Sequence, residues 1–151
     1  MVQFLKTDIC VVGAGSGGLS VAAGAVQMGA DVVLVEGGKM GGDCLNYGCV
    51  PSKALLAAAH AAHVHTRARG LGLSARAPQV NFEQVMDHVH DVIAGIAPVD
   101  SVDRFSKLGV KVIENYGRFI SPKIMAAGKY YIAAKRFVIA TGSSAHVPEI
   151  E

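Results

Sequence analysis

Apolar residues gather into short unbroken runs near both ends of the chain and into helical spacing between them. Ile9-Cys10-Val11-Val12 is a run apt for a strand buried on both faces. A glycine-rich turn follows it, and the spacing then predicts a helix from Leu19 to about Met28. Asp31-Val32-Val33-Leu34-Val35-Glu36 predicts a second, parallel strand. Pro51 suits the first turn of a helix, and Ala54-Leu55-Leu56-Ala57-Ala58-Ala59 is strongly helix-forming, so a helix is expected from Pro51 to about Arg69. Residues 70–78 read as a loop. Asn81 with Gln84 makes a capping box, after which Phe82, Val85, Met86, Val89, Val92, Ile93 and Ile96 recur at helical spacing. Pro98 must break or kink that helix. Val99, Val102, Phe105 and Leu108 carry the apolar stripe to a stop at Gly109.

Beyond Gly109 the pattern changes. Val110-Lys111-Val112-Ile113 alternates like a strand. The runs at 117–120, 123–126 and 129–132 are parted by Ser121-Pro122 and Ala127-Gly128 and read as a small antiparallel meander. Arg136-Phe137-Val138-Ile139-Ala140 is a final strand returning to the main sheet, ending in Thr141-Gly142-Ser143. Strands alternating with helices predict an α/β fold.

The turn after the first strand is Gly13-Ala14-Gly15-Ser16-Gly17-Gly18. Gly13, Gly15 and Gly18 satisfy the dinucleotide fingerprint. The first makes the turn, the second lets backbone approach a pyrophosphate, and the third lets helix pack on strand. The helix N-terminus would hold the phosphates. Glu36 closes the second strand, where a carboxylate can accept from ribose hydroxyls. A glycine turn alone is a weak signal, but here strand, turn, helix, strand and acid occur in order. The expected architecture is a Rossmann-like parallel sheet with helices on both faces plus a small antiparallel β-meander. This unit binds an adenine dinucleotide without choosing between FAD and NAD.

Cys44 and Cys49 stand in Gly41-Gly42-Asp43-Cys44-Leu45-Asn46-Tyr47-Gly48-Cys49-Val50-Pro51-Ser52-Lys53. In a regular α-helix residues five apart lie roughly 8.5 Å from one another, beyond the reach of a disulfide. If the two pair, the helix must break between them, and Gly48 supplies the freedom to bend. Cys49 then falls near a helix N-terminus, which favours a thiolate, and Lys53 adds positive charge. The spacing alone leaves open a redox pair, two buried thiols, or half of a zinc site, although no second short-spaced ligand pair accompanies it.

Composition narrows the setting. The 151 residues are one domain's worth, and 51% hydrophobic content with 18 glycines suits a packed α/β protein rich in turns. A net charge of +2 with no basic patch gives no sign of nucleic-acid binding. No apolar run reaches the roughly 20 residues needed to cross a bilayer, and the N-terminus lacks the layout of a signal peptide. Three cysteines are an odd number. With Cys10 packed in a strand as a small hydrophobe, the count argues for catalytic thiols in a reducing, cytoplasmic compartment. His60 and His63 could share a helix face, but without a third ligand they read as a solvated face. His88 and His90 point away from each other.

The 41–53 segment resembles the redox-active disulfide signature of the flavoprotein disulfide reductases, the pyridine nucleotide-disulfide oxidoreductase family. Asp43 departs from it, since the family more often has threonine or serine there; a carboxylate beside Cys44 would disfavour its thiolate. Ala140-Thr141-Gly142 resembles the family's second FAD contact. The resemblance runs from the first strand to Ser143, strongest at 41–53 and weakest across 70–110. It implies FAD contacts from Gly13, Gly15, Ser16, Gly18, Glu36, Gly42, Cys44, Cys49, Lys53, Gly117, Ala140, Thr141 and Gly142.

It also implies an electron path. NAD(P)H would reduce FAD, and the flavin would pass two electrons to a Cys44–Cys49 disulfide. Cys49 would be the thiolate beside the flavin, Cys44 the thiol that exchanges with substrate, and Lys53 would stabilise the reduced flavin. The substrate would be a small-molecule disulfide or dithiol, or a metal ion. Cys44-Leu45-Asn46 and Ser52-Lys53-Ala54-Leu55-Leu56 resemble the dihydrolipoamide dehydrogenases. Asp100–Phe105 and Leu108-Gly109-Val110 are more similar to mercuric reductases. Residues 1–151 are expected to be the N-terminal FAD-binding segment of a longer, homodimeric enzyme, with nicotinamide-binding and dimerisation domains elsewhere and the segment alone inactive.

Overall fold

The computed structural model describes residues 2–73 and 76–150. The element order is β1 (Gln3–Val12), α1 (Ser16–Gln27), β2 (Val32–Glu36), α2 (Gly42–Asn46), α3 (Cys49–Gly70), α4 (Phe82–Ile96), a 3-10 turn (Ala97–Asp100), α5 (Val102–Lys107), β3 (Lys111–Glu114), β4 (Gly117–Ser121), β5 (Ile124–Ala127) and β6 (Tyr130–Ile139). The strands form one sheet in the order β3-β2-β1-β6-β5-β4. β3, β2, β1 and β6 are mutually parallel, and β6-β5-β4 is the expected antiparallel meander.

The connection from β3 to β4 shapes the sheet. These strands are its two edges, yet only Asn115 and Tyr116 separate them in the chain. Consecutive α-carbons lie about 3.8 Å apart, so the sheet must roll until its edges approach. The roll leaves no room for a flat second face. Cys10, Val33, Val35 and Ile113 of the parallel strands share one buried cluster with Met125, Ala127 and Ile132 of the meander. The other face is covered by helices. There Leu19 and Ala22 of α1 and Phe105 of α5 meet Val11, Val32 and Leu34. Helices α3 and α4 pack on each other and on α2.

Two strands run longer than the apolar runs predict. The runs 129–132 and 136–140 are one strand, β6, continuous through Ala133-Ala134-Lys135. β1 begins at Gln3 because β6 pairs with it from Gln3↔Tyr130 to Val12↔Ile139. A remote partner, absent from local sequence, extends both. The helix starts are also earlier, at Ser16 and Cys49 rather than Leu19 and Pro51. The Asn81 cap forms, its Oδ1 accepting from Gln84 N at 3.3 Å. Pro98 ends α4 as expected, in the 3-10 turn, and Ser101 then caps α5. The loop over 70–78 includes Ser74 and Ala75, which lie outside the described residues.

Cys10 is fully buried between β2 and β6, and burial pushes its thiol up to about 12 from the ordinary 9.0. The folded value is raised, so stability is complete below pH 9 and is lost as pH rises toward 12, because only the unfolded chain releases the proton. The expected slope reaches about 1.4 kcal/mol per pH unit. It should vanish in Cys10→Ala when urea midpoints are compared across alkaline pH. The same burial predicts that a thiol reagent modifies two cysteines in the native chain and three in denaturant.

Candidate functional site

The parallel strands β1, β2, β3 and β6 all deliver their carboxyl ends to one side, where ligands of open α/β sheets bind. Gly13 N donates to Val35 O and Ala140 N donates to Val12 O, both at 2.8 Å, joining three strand ends. Gly13 turns the chain with φ +105°, and a Cβ there would lie 2.2 Å from Ala140 O. A Cβ on Gly18 would lie 1.8 Å from Gly13 O, so α1 seats directly on the turn. Gly15 differs. The nearest atom to a Cβ there is Gly42 Cα at 3.9 Å, so its backbone faces open space. Gly15 caps α1 without a side chain, leaving the first-turn N–H groups directed at that space. Gly13 thus makes the turn and Gly18 the helix seat that the fingerprint assigns to them.

The Glu36 carboxylate holds this turn in place. Its Oε2 accepts from Ala14 N at 2.5 Å and its Oε1 from Gly38 N at 2.6 Å. A second loop is knitted to the first. Gly41 N donates to Ala14 O at 2.9 Å, Gly15 and Gly41 form a β-bridge, and a Cβ on Gly42 would lie 2.7 Å from Gly15 Cα. Gly41 and Gly42 both take positive φ, +83° and +59°. Asn46 Nδ2 donates to Met40 O and Gly42 O at 3.0 and 2.8 Å, folding α2 back onto this loop. Leu45 is buried beneath it.

The helix does break between the two cysteines. Cys44 lies in α2 and Cys49 is the first residue of α3, with the chain bent at Tyr47 and Gly48. Both thiols are free, and they touch. The hydrogen bond with Cys49 is the main cause that holds the Cys44 thiol above its ordinary range; burial adds to it, and the Lys53 charge opposes it. The shift therefore has its source in the neighbouring thiol rather than in Asp43, whose carboxylate turns toward Gly48. A Cβ on Gly48 would lie 2.7 Å from Asp43 Oδ2. Two thiols in contact at a helix N-terminus form a pair suited to reversible disulfide chemistry.

A cleft of about 460 Å³ opens at these strand ends. It gathers Gly13, Gly15, Glu36, Gly42, Gly117, Ala140, Thr141 and Gly142. Ser16 and Gly18 belong to the start of α1, Cys44 to α2 next in sequence to the lining residue Asp43, and Cys49 and Lys53 to the start of α3, all outside the lining of this cleft. The lining also includes Gly38, Asp43, Tyr116, Ser143 and Ser144, which sequence reasoning did not place there. Position just after Glu36, β3 and Thr141 was the available signal. A larger hollow of about 780 Å³ lies by Lys6, Asp8, Asp31 and Lys135, away from the glycine turns. Among the described residues no three His, Cys, Asp or Glu side chains are grouped to hold a metal ion, and no helix is long and apolar enough to cross a membrane.

In this Rossmann-like domain the glycine turn after β1 is stitched to the loop that leads into Cys44 and Cys49. The family model described as pyridine nucleotide-disulphide oxidoreductase matches residues 7–151, and the chain belongs to that family. It is 34% identical to dihydrolipoyl dehydrogenase of Pseudomonas aeruginosa, covering 95% of this chain and 32% of that protein. It is 38% identical to the mitochondrial dihydrolipoyl dehydrogenase of Schizosaccharomyces pombe, covering 90% and 28%. It is 32% identical to mercuric reductase of Bacillus cereus, covering 95% and 23%. The chain therefore spans roughly a quarter to a third of the length of these relatives.

Proposed function

We propose that residues 1–151 form the FAD-binding segment of an enzyme that moves electrons between a nicotinamide nucleotide and a small disulfide, dithiol or metal-ion substrate. The observation that carries this reading is the contact between the Cys44 and Cys49 thiols, which follow the loop stitched to the glycine turn. The open backbone at Gly15 and the uncapped start of α1 fit a pyrophosphate, and the end of β2 fits a ribose. FAD supplies, when bound, two-electron chemistry that the thiols can share.

The residues of this chain then divide the work. In the reduced pair, the Cys44 thiolate attacks one sulfur of a substrate disulfide, forming a mixed disulfide and releasing one thiolate. The Cys49 thiolate attacks the Cys44 sulfur, releasing the second substrate thiol and leaving the Cys44–Cys49 disulfide. Two electrons pass from the pair to the substrate. Lys53 favours the Cys44 thiolate by its charge. A substrate dithiol runs the same steps in reverse.

Dihydrolipoamide and mercuric ion are the two substrate candidates, because relatives of both names match over nearly the whole chain. Protein made from the whole reading frame, assayed with a nicotinamide nucleotide, should turn over one of them. No activity with either, or with any small disulfide, would contradict the proposal. A homodimer completed by further domains belongs to the same proposal.

A further inference from the structure

We infer that the hollow of about 780 Å³ beside Lys6, Lys123, Lys135 and Arg136 is a binding site for a small, multiply charged organic anion. The thiol–disulfide chemistry makes no use of this hollow. Its volume falls in the range of small-molecule sites. It opens at Asp31, before the amino end of β2, whereas the glycine cleft opens at Glu36, the carboxyl end of that strand. Five residues of extended chain part the two, roughly 16 Å, so both can be filled together.

Strand pairing builds the site. Lys6 of β1 stands opposite Ala133 of β6, and Ala133 stands opposite Ile124 of β5. Residues opposed across neighbouring strands share a face, so Lys6 rises beside a half-buried apolar floor of Ala133 and Ile124. Lys123, just before β5, and Lys135 and Arg136, farther along β6, complete the rim. All four cations are exposed. Two carboxylates also line the hollow, Asp8 and Asp31, and both act on Lys135. Asp8 pairs with Lys135 at 2.5 Å and accepts from Asp31 N at 3.0 Å. Lys6, Lys123 and Arg136 take no carboxylate partner among the described residues. Like charges gathered around one hollow repel each other and concentrate anions there. A ligand with two or three negative groups matches that charge, and its carbon skeleton matches the apolar floor.

Calorimetric titration of the whole protein with citrate and with glucose 6-phosphate tests this, with glucose as the uncharged control. One probe carries carboxylates and the other a phosphate. At least one should bind saturably at low ionic strength, weaken as salt is added, and bind equally well with FAD present, while glucose does not bind. Lys6→Gln combined with Lys123→Gln should weaken the anion by about tenfold. Arg67→Gln combined with Lys107→Gln removes the same charge from α3 and α5, outside the hollow, and should leave binding unchanged. All four replaced side chains are exposed. Equal weakening by both pairs would mean an adventitious attraction to net charge and would overturn the site. So would the absence of saturable binding of either anion to the unmodified protein, or competition by FAD, which would place the anion in the glycine cleft.

Discussion

Cys44→Ser is expected to lower disulfide turnover by at least about a thousandfold while leaving the bound flavin reducible by the nicotinamide nucleotide. Serine keeps the size and hydrogen bond of the thiol but is a far poorer nucleophile toward sulfur. The Cys49→Ser variant has a less obvious consequence. The Cys44 thiol is held above its ordinary range chiefly by its bond with Cys49. Removing Cys49 should let it fall back, raising the thiolate fraction at a fixed pH below that range. Alkylation of Cys44 by iodoacetamide should then be faster in Cys49→Ser than in the unmodified protein, with its rate rising toward alkaline pH in both. A pH series read by mass spectrometry decides this, and slower alkylation in the variant would show that Cys49 activates Cys44 instead.

The second large effect is steric. Gly18→Ala places a methyl group 1.8 Å from Gly13 O, and the obstacle is backbone. Either α1 must withdraw from β1 or the dinucleotide turn must open. A loss of at least about 3 kcal/mol is expected. Gly17→Ala is the control one residue away. A Cβ there meets nothing within 4 Å, so alanine should be neutral or stabilise the helix by up to about 1 kcal/mol. Urea unfolding of the two variants should shift in opposite directions or differ by most of the global stability. Equal midpoints would show that α1 does not seat on the turn.

What the sequence made legible was whatever a local rule dictates. The glycine turn could be read because its glycines answer local steric needs, and the structure shows close backbone approaches at Gly13 and Gly18, while Gly15 is left open toward the cleft. The break between Cys44 and Cys49 was expected on the condition that the two pair, with Gly48 as the bend and Pro51 as a helix start, and the structure bends the chain at Tyr47 and Gly48. What escaped depends on remote partners. β1 reaches back to Gln3 only because β6 lies beside it. Tyr116 looks like a loop residue until the rolled sheet carries it to Gly37. The influence on Cys44 was read as Asp43, its neighbour in sequence, whereas the bend at Gly48 makes Cys49 its neighbour in space and turns Asp43 aside.

The most direct test of the central claim is an absorbance spectrum. FAD is added to the chain, free flavin is removed, and spectra are taken before and after mild two-electron reduction. The account predicts retained flavin bands and, on reduction, a new long-wavelength band that is lost in Cys49→Ser. Flavin that is retained but shows no such band, with the two thiols still reactive, would contradict the placement of the Cys44–Cys49 pair against the cofactor.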